Sequence, residues 1–153
     1  MRKQGLYALK ETLMSKPKVL FLYTANSARS QMAEAFLKKY GGDKFEAFSA
    51  GLEPKVIHPY TELVMQEVGI PLTEQYAKSF REYMGKVLFA YLITVCAEAE
   101  KKCPTTFPGI GQRLYWPFDD PGAFEGSHDE KIMKFREVRD KIEQKIEEWL
   151  ENQ

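Results

Sequence analysis

The sequence contains few cysteines, no excess of charge of either sign and no long apolar run. Its 153 residues include 2 cysteines, too few for a disulfide framework. Lys and Arg number 22, as do Asp and Glu, so no basic field attracts nucleic acid or an anionic membrane surface. No segment reaches transmembrane length, and residues 1–18 lack the continuous apolar core of a secretory signal. These absences predict a cytoplasmic protein that binds neither nucleic acid nor membranes.

Residues 17–153 are predicted to form one domain, because they contain no repeat, linker or low-complexity segment. Residues 1–16 are an N-terminal extension ahead of the first strand. Its first part is either a short surface helix or, if Met14 is the true start, not part of the protein at all.

Apolar periodicity predicts an α/β fold. Strands are expected at residues 19–23, at 45–50, at the end of 87–95 and at 114–116. Helices are expected at residues 31–40, 59–68, briefly at 79–84, and most clearly over 132–149. Strands that alternate with helices indicate a four-stranded parallel sheet covered by helices on both faces, a three-layer sandwich.

A polar loop joins the first predicted strand to the first predicted helix. Ligands of parallel sheets bind beyond the carboxyl ends of strands, where free N–H groups of the following helix point. Successive N–H groups can form a nest for a tetrahedral oxyanion, and an arginine adds a bidentate clamp. The predicted anion-binding residues are Thr24, Ala25, Asn26, Ser27, Ala28, Arg29 and Ser30. The alternative is an ordinary strand-to-helix turn with a surface arginine.

Three residues of this region have more specific predicted roles. Asn26 suits a position with positive φ, and its amide can brace the loop. Ser30 is positioned to donate a hydrogen bond toward residue 23. Oxyanion loops of cysteine-dependent phosphatases hold a thiolate six residues before the arginine, and Tyr23 occupies that position here.

The loop and several later segments resemble one family. The chain contains Tyr23-Thr24-Ala25-Asn26-Ser27-Ala28-Arg29-Ser30-Gln31-Met32-Ala33-Glu34. This run resembles Cys-Thr-Gly-Asn-Ser-Cys-Arg-Ser-Gln-Met-Ala-Glu of the thioredoxin-coupled arsenate reductases, which share the low-molecular-weight tyrosine phosphatase fold. Further matches are Ser49-Ala50-Gly51, Val68-Gly69-Ile70, Ile93-Thr94-Val95-Cys96, Cys103-Pro104, Phe118-Asp119-Asp120-Pro121 and Phe135-Arg136-Glu137-Val138-Arg139-Asp140. The resemblance covers nearly everything from residue 17 onward.

The resemblance implies a thiol cascade that needs no cofactor. In that family the loop cysteine attacks arsenate, and a second cysteine displaces arsenite. A third cysteine closes a disulfide with the second, which thioredoxin reduces. The second and third cysteines match Cys96 and Cys103. The implied partners are an arsenate, phosphate or sulfate oxyanion and a thioredoxin-like reductant. Without the resemblance, the two cysteines are equally typical of small buried hydrophobic residues.

Asp120 and the two histidines are the remaining candidates for acid–base chemistry. The resemblance to the phosphatases gives Asp120 the role of general acid for the leaving group. An Asp ahead of Pro121 is equally typical of a turn. His58 and His128 are predicted to be surface or capping residues and not catalysts.

A cation site is a weaker implication of the resemblance. Some relatives bind an alkali cation at positions that match Asn26, Glu34 and Ser49. Lys78 stands where an acidic partner would be expected. Its ammonium group is therefore predicted to replace the cation, so we expect no metal.

Tyr23 determines what activity is expected. A thiolate is a strong nucleophile with a pKa of about 8.5, which falls further among N–H donors, whereas a phenol has a pKa near 10. The phenol oxygen cannot sit where the sulfur sits, and the ring should fill the oxyanion pocket. We therefore expect a severe loss of both phosphatase and arsenate reductase activity.

Three functions stay open from the sequence. The first is an arsenate reductase weakened or silenced at its nucleophile. The second is a non-catalytic descendant that binds an oxyanion or a partner through the old site. The third is a dithiol protein in which Cys96 and Cys103 bind arsenite or exchange disulfides with a thioredoxin.

Overall fold

The structure is a computed structural model that describes residues 16–102 and 109–153. Its strands are β1 (Lys18–Tyr23), β2 (Glu46–Gly51), β3 (Phe89–Thr94) and β4 (Ile110–Tyr115). Its α-helices are α1 (Arg29–Gly41), α2 (Pro59–Glu67), α3 (Ala97–Lys102) and α4 (His128–Glu151), with short 3-10 helices at Phe80–Glu82 and Pro121–Ala123. Cys103 and nearly all of the N-terminal extension lie outside the described residues.

The four strands form one parallel sheet in the order β2-β1-β3-β4. Successive side chains of a strand point to opposite faces of the sheet. In β1 all residues from Val19 to Tyr23 are buried, so both faces of the sheet are covered. The predicted three-layer α/β fold is therefore confirmed.

The connections of this sheet open a crevice between β1 and β3. The chain leaves β1 toward β2 on one side and later crosses back to β3 on the other side. At such a switch point the loops after the two strands diverge, and ligands of open parallel sheets bind there. The loop after β1 and the start of α3 after β3 both lie at this edge.

Helix α4 follows its predicted pattern closely. A capping box at Ser127 and Glu130 starts the helix. The buried residues recur at helical spacing and are Ile132, Phe135, Val138, Arg139, Ile142 and Ile146. This stripe packs on α1 and α2, and Arg139 donates to the Val64 carbonyl at 2.9 Å. Across the described parts of the chain, no helix is both long and apolar enough to cross a membrane.

Three local predictions were wrong. Strand β4 begins at Ile110, four residues earlier than expected, because an edge strand does not need an apolar sequence to pair with β3. Helix α3 occupies the polar stretch that follows Cys96, which was expected to be mobile. In α2 the inward residues are Thr61, Val64 and Met65, whereas Leu63 and Val68 are exposed.

Candidate functional site

Four of the predicted catalytic positions meet at the carboxyl edge of the sheet. Tyr23 ends β1, Cys96 follows β3, and Asp120 lies beyond β4. They surround a cavity of about 460 Å³. Its lining consists of Tyr23, Thr24, Ala25, Arg29, Glu53, Lys55, Cys96, Ala97 and Asp120. Cys103, the fifth predicted position, lies outside the described residues.

The loop from 24 to 28 presents its N–H groups toward this cavity. Its carbonyls are occupied on the outside, where Glu53 N–H donates to Thr24 O at 2.8 Å and Lys55 N–H to Ala25 O at 2.9 Å. His58 N–H likewise donates to Ser27 O at 2.9 Å. Because the C=O and N–H of one trans peptide point in opposite directions, the following N–H groups face inward. The backbone therefore keeps the form of an anion nest.

Asn26 holds the loop in shape from inside the protein. It is fully buried with a φ of 50°, the only positive φ among the described non-glycine residues. Its Nδ2 donates to Ser30 Oγ at 2.8 Å, and its Oδ1 accepts from the backbone N–H of Lys78 at 3.0 Å. A Cβ on Gly51 would stand 2.9 Å from both Asn26 Cβ and Thr24 O, so only glycine fits there. The donation from Ser30 toward residue 23 stays a prediction.

The Tyr23 ring stands at the base of the nest. The residue is 8% exposed, and the Arg29 guanidinium carbon lies 4.2 Å from the ring centroid. Burial raises the pKa of the phenol above its ordinary value of 10.0, and the nearby Arg29 opposes this only in part. The phenol is therefore protonated at neutral pH and is a poor nucleophile.

Arg29 is turned toward the loop after β4. One terminal nitrogen donates to the Phe118 carbonyl at 2.7 Å, and the other lies 3.7 Å from Asp120 Oδ2. The side chain is 7% exposed. Its Nε is buried and has no acceptor among residues 16–102 and 109–153. The guanidinium thus has one donor free inside the site, and its other groups are used within the protein.

Asp120 performs the turn-forming role that the sequence offered as an alternative. Its Oδ1 accepts from Gly122 N–H at 2.9 Å and so caps the 3-10 helix Pro121–Ala123. Its other oxygen faces Arg29. The carboxylate therefore lines the cavity while it caps the turn, and the two predicted roles are compatible.

Cys96 is a buried thiol at the start of α3. Its Sγ accepts a hydrogen bond from Ala99 N–H at 3.3 Å and lies 3.5 Å from Thr24 Oγ1. Thr24 belongs to the anion loop, so this sulfur stands directly beside it. The structure thus places Cys96 against the loop, as a thiol that acts on residue 23 would need.

The predicted cation site contains an ammonium group. Glu34 Oε1 accepts from Ser49 Oγ at 2.6 Å and lies 3.7 Å from Lys78 Nζ. Burial lowers the pKa of Lys78, and the charge of Glu34 opposes that effect. Lys38 binds the other Glu34 oxygen at 2.5 Å from a half-exposed position. No group of three or more metal-binding His, Cys, Asp or Glu side chains occurs in the described part of the chain.

Both histidines lie beside helix α2. His58 caps that helix, because its Nδ1 accepts from Tyr60 N–H at 3.1 Å, and its ring packs on Phe135. Burial lowers its pKa. His128 forms a hydrogen bond with the Tyr60 hydroxyl. Neither residue lines the cavity.

Sequence reasoning missed three participants. Glu53 and Lys55 line the cavity from the segment that covers the loop carbonyls. No motif distinguishes these two residues from other surface charges. Phe118 takes part through its carbonyl, and a backbone acceptor leaves no trace in the residue type.

Comparisons with known proteins point in one direction. Residues 18–153 match the model of the low molecular weight phosphotyrosine protein phosphatase family. The chain is 40% identical over 139 residues to an arsenate reductase of Halalkalibacterium halodurans, which covers 90% of this chain and 98% of the relative. It is 37% identical over 134 residues to an arsenate reductase of Bacillus subtilis, which covers 87% and 94%.

Solved structures are similar as well. An arsenate reductase in its phosphate-binding state matches with a TM-score of 0.74 and 28% identity, over 89% of this chain and 98% of that one. A low molecular weight protein tyrosine phosphatase from T. tengcongensis matches with a TM-score of 0.69 over 90% of this chain and 100% of that one. Its identity is 22%, so it supports the fold alone.

Proposed function

The chain belongs to the arsenate reductase family of the low molecular weight phosphotyrosine protein phosphatase fold, and we propose that it is a member whose first chemical step is blocked at Tyr23. In this proposal the protein does not reduce arsenate by the family's thiol cascade. The observation that carries it is the position of the Tyr23 ring beneath the Arg29 guanidinium.

The block has a chemical component and a steric component. The first step needs a thiolate that attacks the oxyanion, and a buried phenol with a raised pKa does not supply an equivalent nucleophile at neutral pH. The ring also stands where the oxyanion would be held, and Arg29 is bound to Phe118 O. An incoming anion therefore has to displace two internal contacts before it reaches the N–H groups.

Oxyanion binding is part of the proposal in a weakened form. The nest itself is preserved, because residues remote from position 23 hold the loop. Relatives include an arsenate reductase in a phosphate-binding state. We propose that arsenate, phosphate and sulfate bind this chain weakly, and that a thioredoxin-like protein is its reductant in the cytoplasm.

A second candidate function is supported by Cys96. Its sulfur lies against the loop and lines the same cavity. If Cys103 approaches it, the two thiols would form a dithiol that binds arsenite or exchanges disulfides. This function needs no chemistry at Tyr23. A Cys96→Ser change that leaves arsenite affinity unaltered would exclude it.

Thioredoxin-coupled arsenate reduction tests the proposal through substitutions at one position. The unaltered chain should show no turnover above background, and Tyr23→Cys should gain turnover. Tyr23→Ala is the matched control, because it removes the ring without adding a thiol and should stay inactive. Turnover by the unaltered chain would contradict the proposal. A Tyr23→Cys protein that folds and binds phosphate but remains inactive would place the block elsewhere.

A further inference from the structure

The Cys96 thiol has a cavity in front of it that the blocked cascade leaves unused. Its sulfur is held between the Ala99 N–H and the Thr24 hydroxyl. The cavity has about 460 Å³ of space, within the range of clefts that bind small molecules. Ligands of this volume have the size of amino acids and short peptides. A small thiol compound would therefore have room beside Cys96.

Charges of both signs line this cavity. Arg29 and Lys55 contribute positive charges, and Glu53 and Asp120 contribute negative ones. The Nε–H of Arg29 is a buried donor that no described residue accepts from, on a side chain that is only 7% exposed. Burying such a donor without an acceptor is costly. The site is therefore complementary to a ligand that brings a carboxylate and also tolerates neighbouring anions.

A zwitterion meets these conditions better than a simple anion does. Its carboxylate can accept from the free donor of Arg29 and pair with Lys55, and its ammonium group can pair with Glu53. Charged hydrogen bonds of this kind are stronger than neutral ones. The ring of Tyr23 adds an apolar surface at the base of the cavity.

We propose that Cys96 is a site of mixed-disulfide formation with amino-acid-type thiols, compounds that carry both a carboxylate and an ammonium group. The inference goes beyond the proposed function and does not depend on whether Tyr23 blocks arsenate reduction. It assigns to the cavity a ligand class and to Cys96 a covalent reaction.

The reaction is a thiol–disulfide exchange that balances without a further reagent. The Cys96 thiolate attacks one sulfur of a symmetrical disulfide, R–S–S–R. The S–S bond of that compound breaks, and a Cys96–S–S–R bond forms. The second half leaves as R–S⁻ and takes up the proton that Cys96 released. Cys96 is oxidised and one R–S group is reduced, so the disulfide is itself the oxidant.

Intact-protein mass spectrometry of a single-thiol variant tests the proposal. The sequence has 2 cysteines, so Cys103→Ser leaves Cys96 as the only thiol. This variant is mixed with cystine, which is zwitterionic, or with bis(2-hydroxyethyl) disulfide, which is uncharged. Each rate of adduct formation is divided by the rate of the same reagent with a small unstructured thiol peptide. We expect the corrected rate with cystine to be roughly tenfold higher, about the effect of one charged contact.

Two further variants separate recognition from general reactivity. Lys55→Ala and Glu53→Gln, each in the Cys103→Ser background, should lower the cystine rate several-fold and leave the uncharged reagent's rate unchanged. Peptide mapping of the unaltered chain after cystine treatment should find the adduct on Cys96. Equal corrected rates for the two reagents would overturn the proposal. So would an unaltered chain whose folded form carries cystine adducts on Cys103 alone.

Discussion

The guanidinium of Arg29 is stacked on the ring of Tyr23, with its carbon 4.2 Å from the ring centroid. In an oxyanion loop the arginine serves as the clamp for the anion. Here a neighbouring side chain receives its positive charge through a cation–π contact. The loop therefore has its cation partly satisfied from within, and several measurements can detect this.

Removal of the ring should restore anion binding. Tyr23→Ala frees the base of the nest and releases Arg29 from the stack, so we expect phosphate affinity to rise at least about tenfold. Titration calorimetry would measure the change. Tyr23→Phe keeps the ring and is the matched control, which should bind phosphate as weakly as the unaltered chain. The Ala variant should lose about 3 kcal/mol of stability, as large-to-small core substitutions do, so binding must be measured well below its unfolding temperature.

Alkaline pH should destabilise the protein through Tyr23. Burial raises the pKa of this phenol above 10.0 in the folded state. Below pH 10 both states hold the proton, so stability is unaffected. As pH rises through 10 the unfolded chain releases the proton first, and the free energy of unfolding falls until the folded pKa is passed.

Urea unfolding between pH 9 and 12 would measure that loss for the unaltered chain and for Tyr23→Phe. The Phe variant should lose less, by about 1.4 kcal/mol for each unit of pKa difference. Both proteins keep Tyr40, whose pKa the Glu143 hydrogen bond raises to about 12, and this contribution cancels. Parallel curves would show that Tyr23 titrates normally.

The buried Lys78 should contribute more to stability than the neighbouring Lys38, although both contact Glu34. Lys78→Met removes an ammonium that is 6% exposed and leaves the buried Glu34 carboxylate facing apolar surroundings. Breaking such a pair costs about 3 kcal/mol. Lys38→Met removes a side chain that is 49% exposed and should cost less than about 1 kcal/mol.

Thermal and urea unfolding of the two lysine variants would compare them directly. The same samples test the predicted replacement of an alkali cation by Lys78. The unaltered chain should have the same unfolding temperature in potassium chloride and in tetramethylammonium chloride. A specific stabilisation of the unaltered chain by potassium would contradict that role for Lys78.

The two roles of Asp120 can be separated in an active background. In Tyr23→Cys, an added Asp120→Asn retains an oxygen for the Gly122 N–H but cannot donate a proton as an acid. Hydrolysis of an aryl phosphate should fall about 10²-fold or more, since general acid catalysis is lost, while the unfolding temperature stays unchanged. Asp120→Ala should lower both, because it also removes the cap. Equal activity of the Asp and Asn forms would leave only the turn-forming role.

Much of the fold follows from local patterns in the chain. The continuous apolar run of β1 and the helical spacing of α4 are strong signals, because each element buries a large surface on its own. Strand β4 and helix α3 were harder to predict. An edge strand pairs through its backbone with any sequence, and the six residues of α3 are mostly charged.

At the site, residue identity predicted which groups gather but not how they are paired. The left-handed Asn26 and the proximity of Cys96 to the loop both follow from residue type and strand order. The direction of Arg29 does not, because its acceptor is the Phe118 carbonyl. The pairing of Lys78 with Glu34 depends on a contact between residues far apart in sequence.

The anchoring of the loop from outside has an evolutionary consequence. Asn26, the backbone of Lys78 and the segment that covers the loop carbonyls hold its shape without help from position 23. Tyrosine and cysteine codons differ by a single base. A lineage that carries this gene is therefore one point mutation away from a thiol in a loop already folded to receive it. Arsenate in the environment would select that revertant from a large population within few generations.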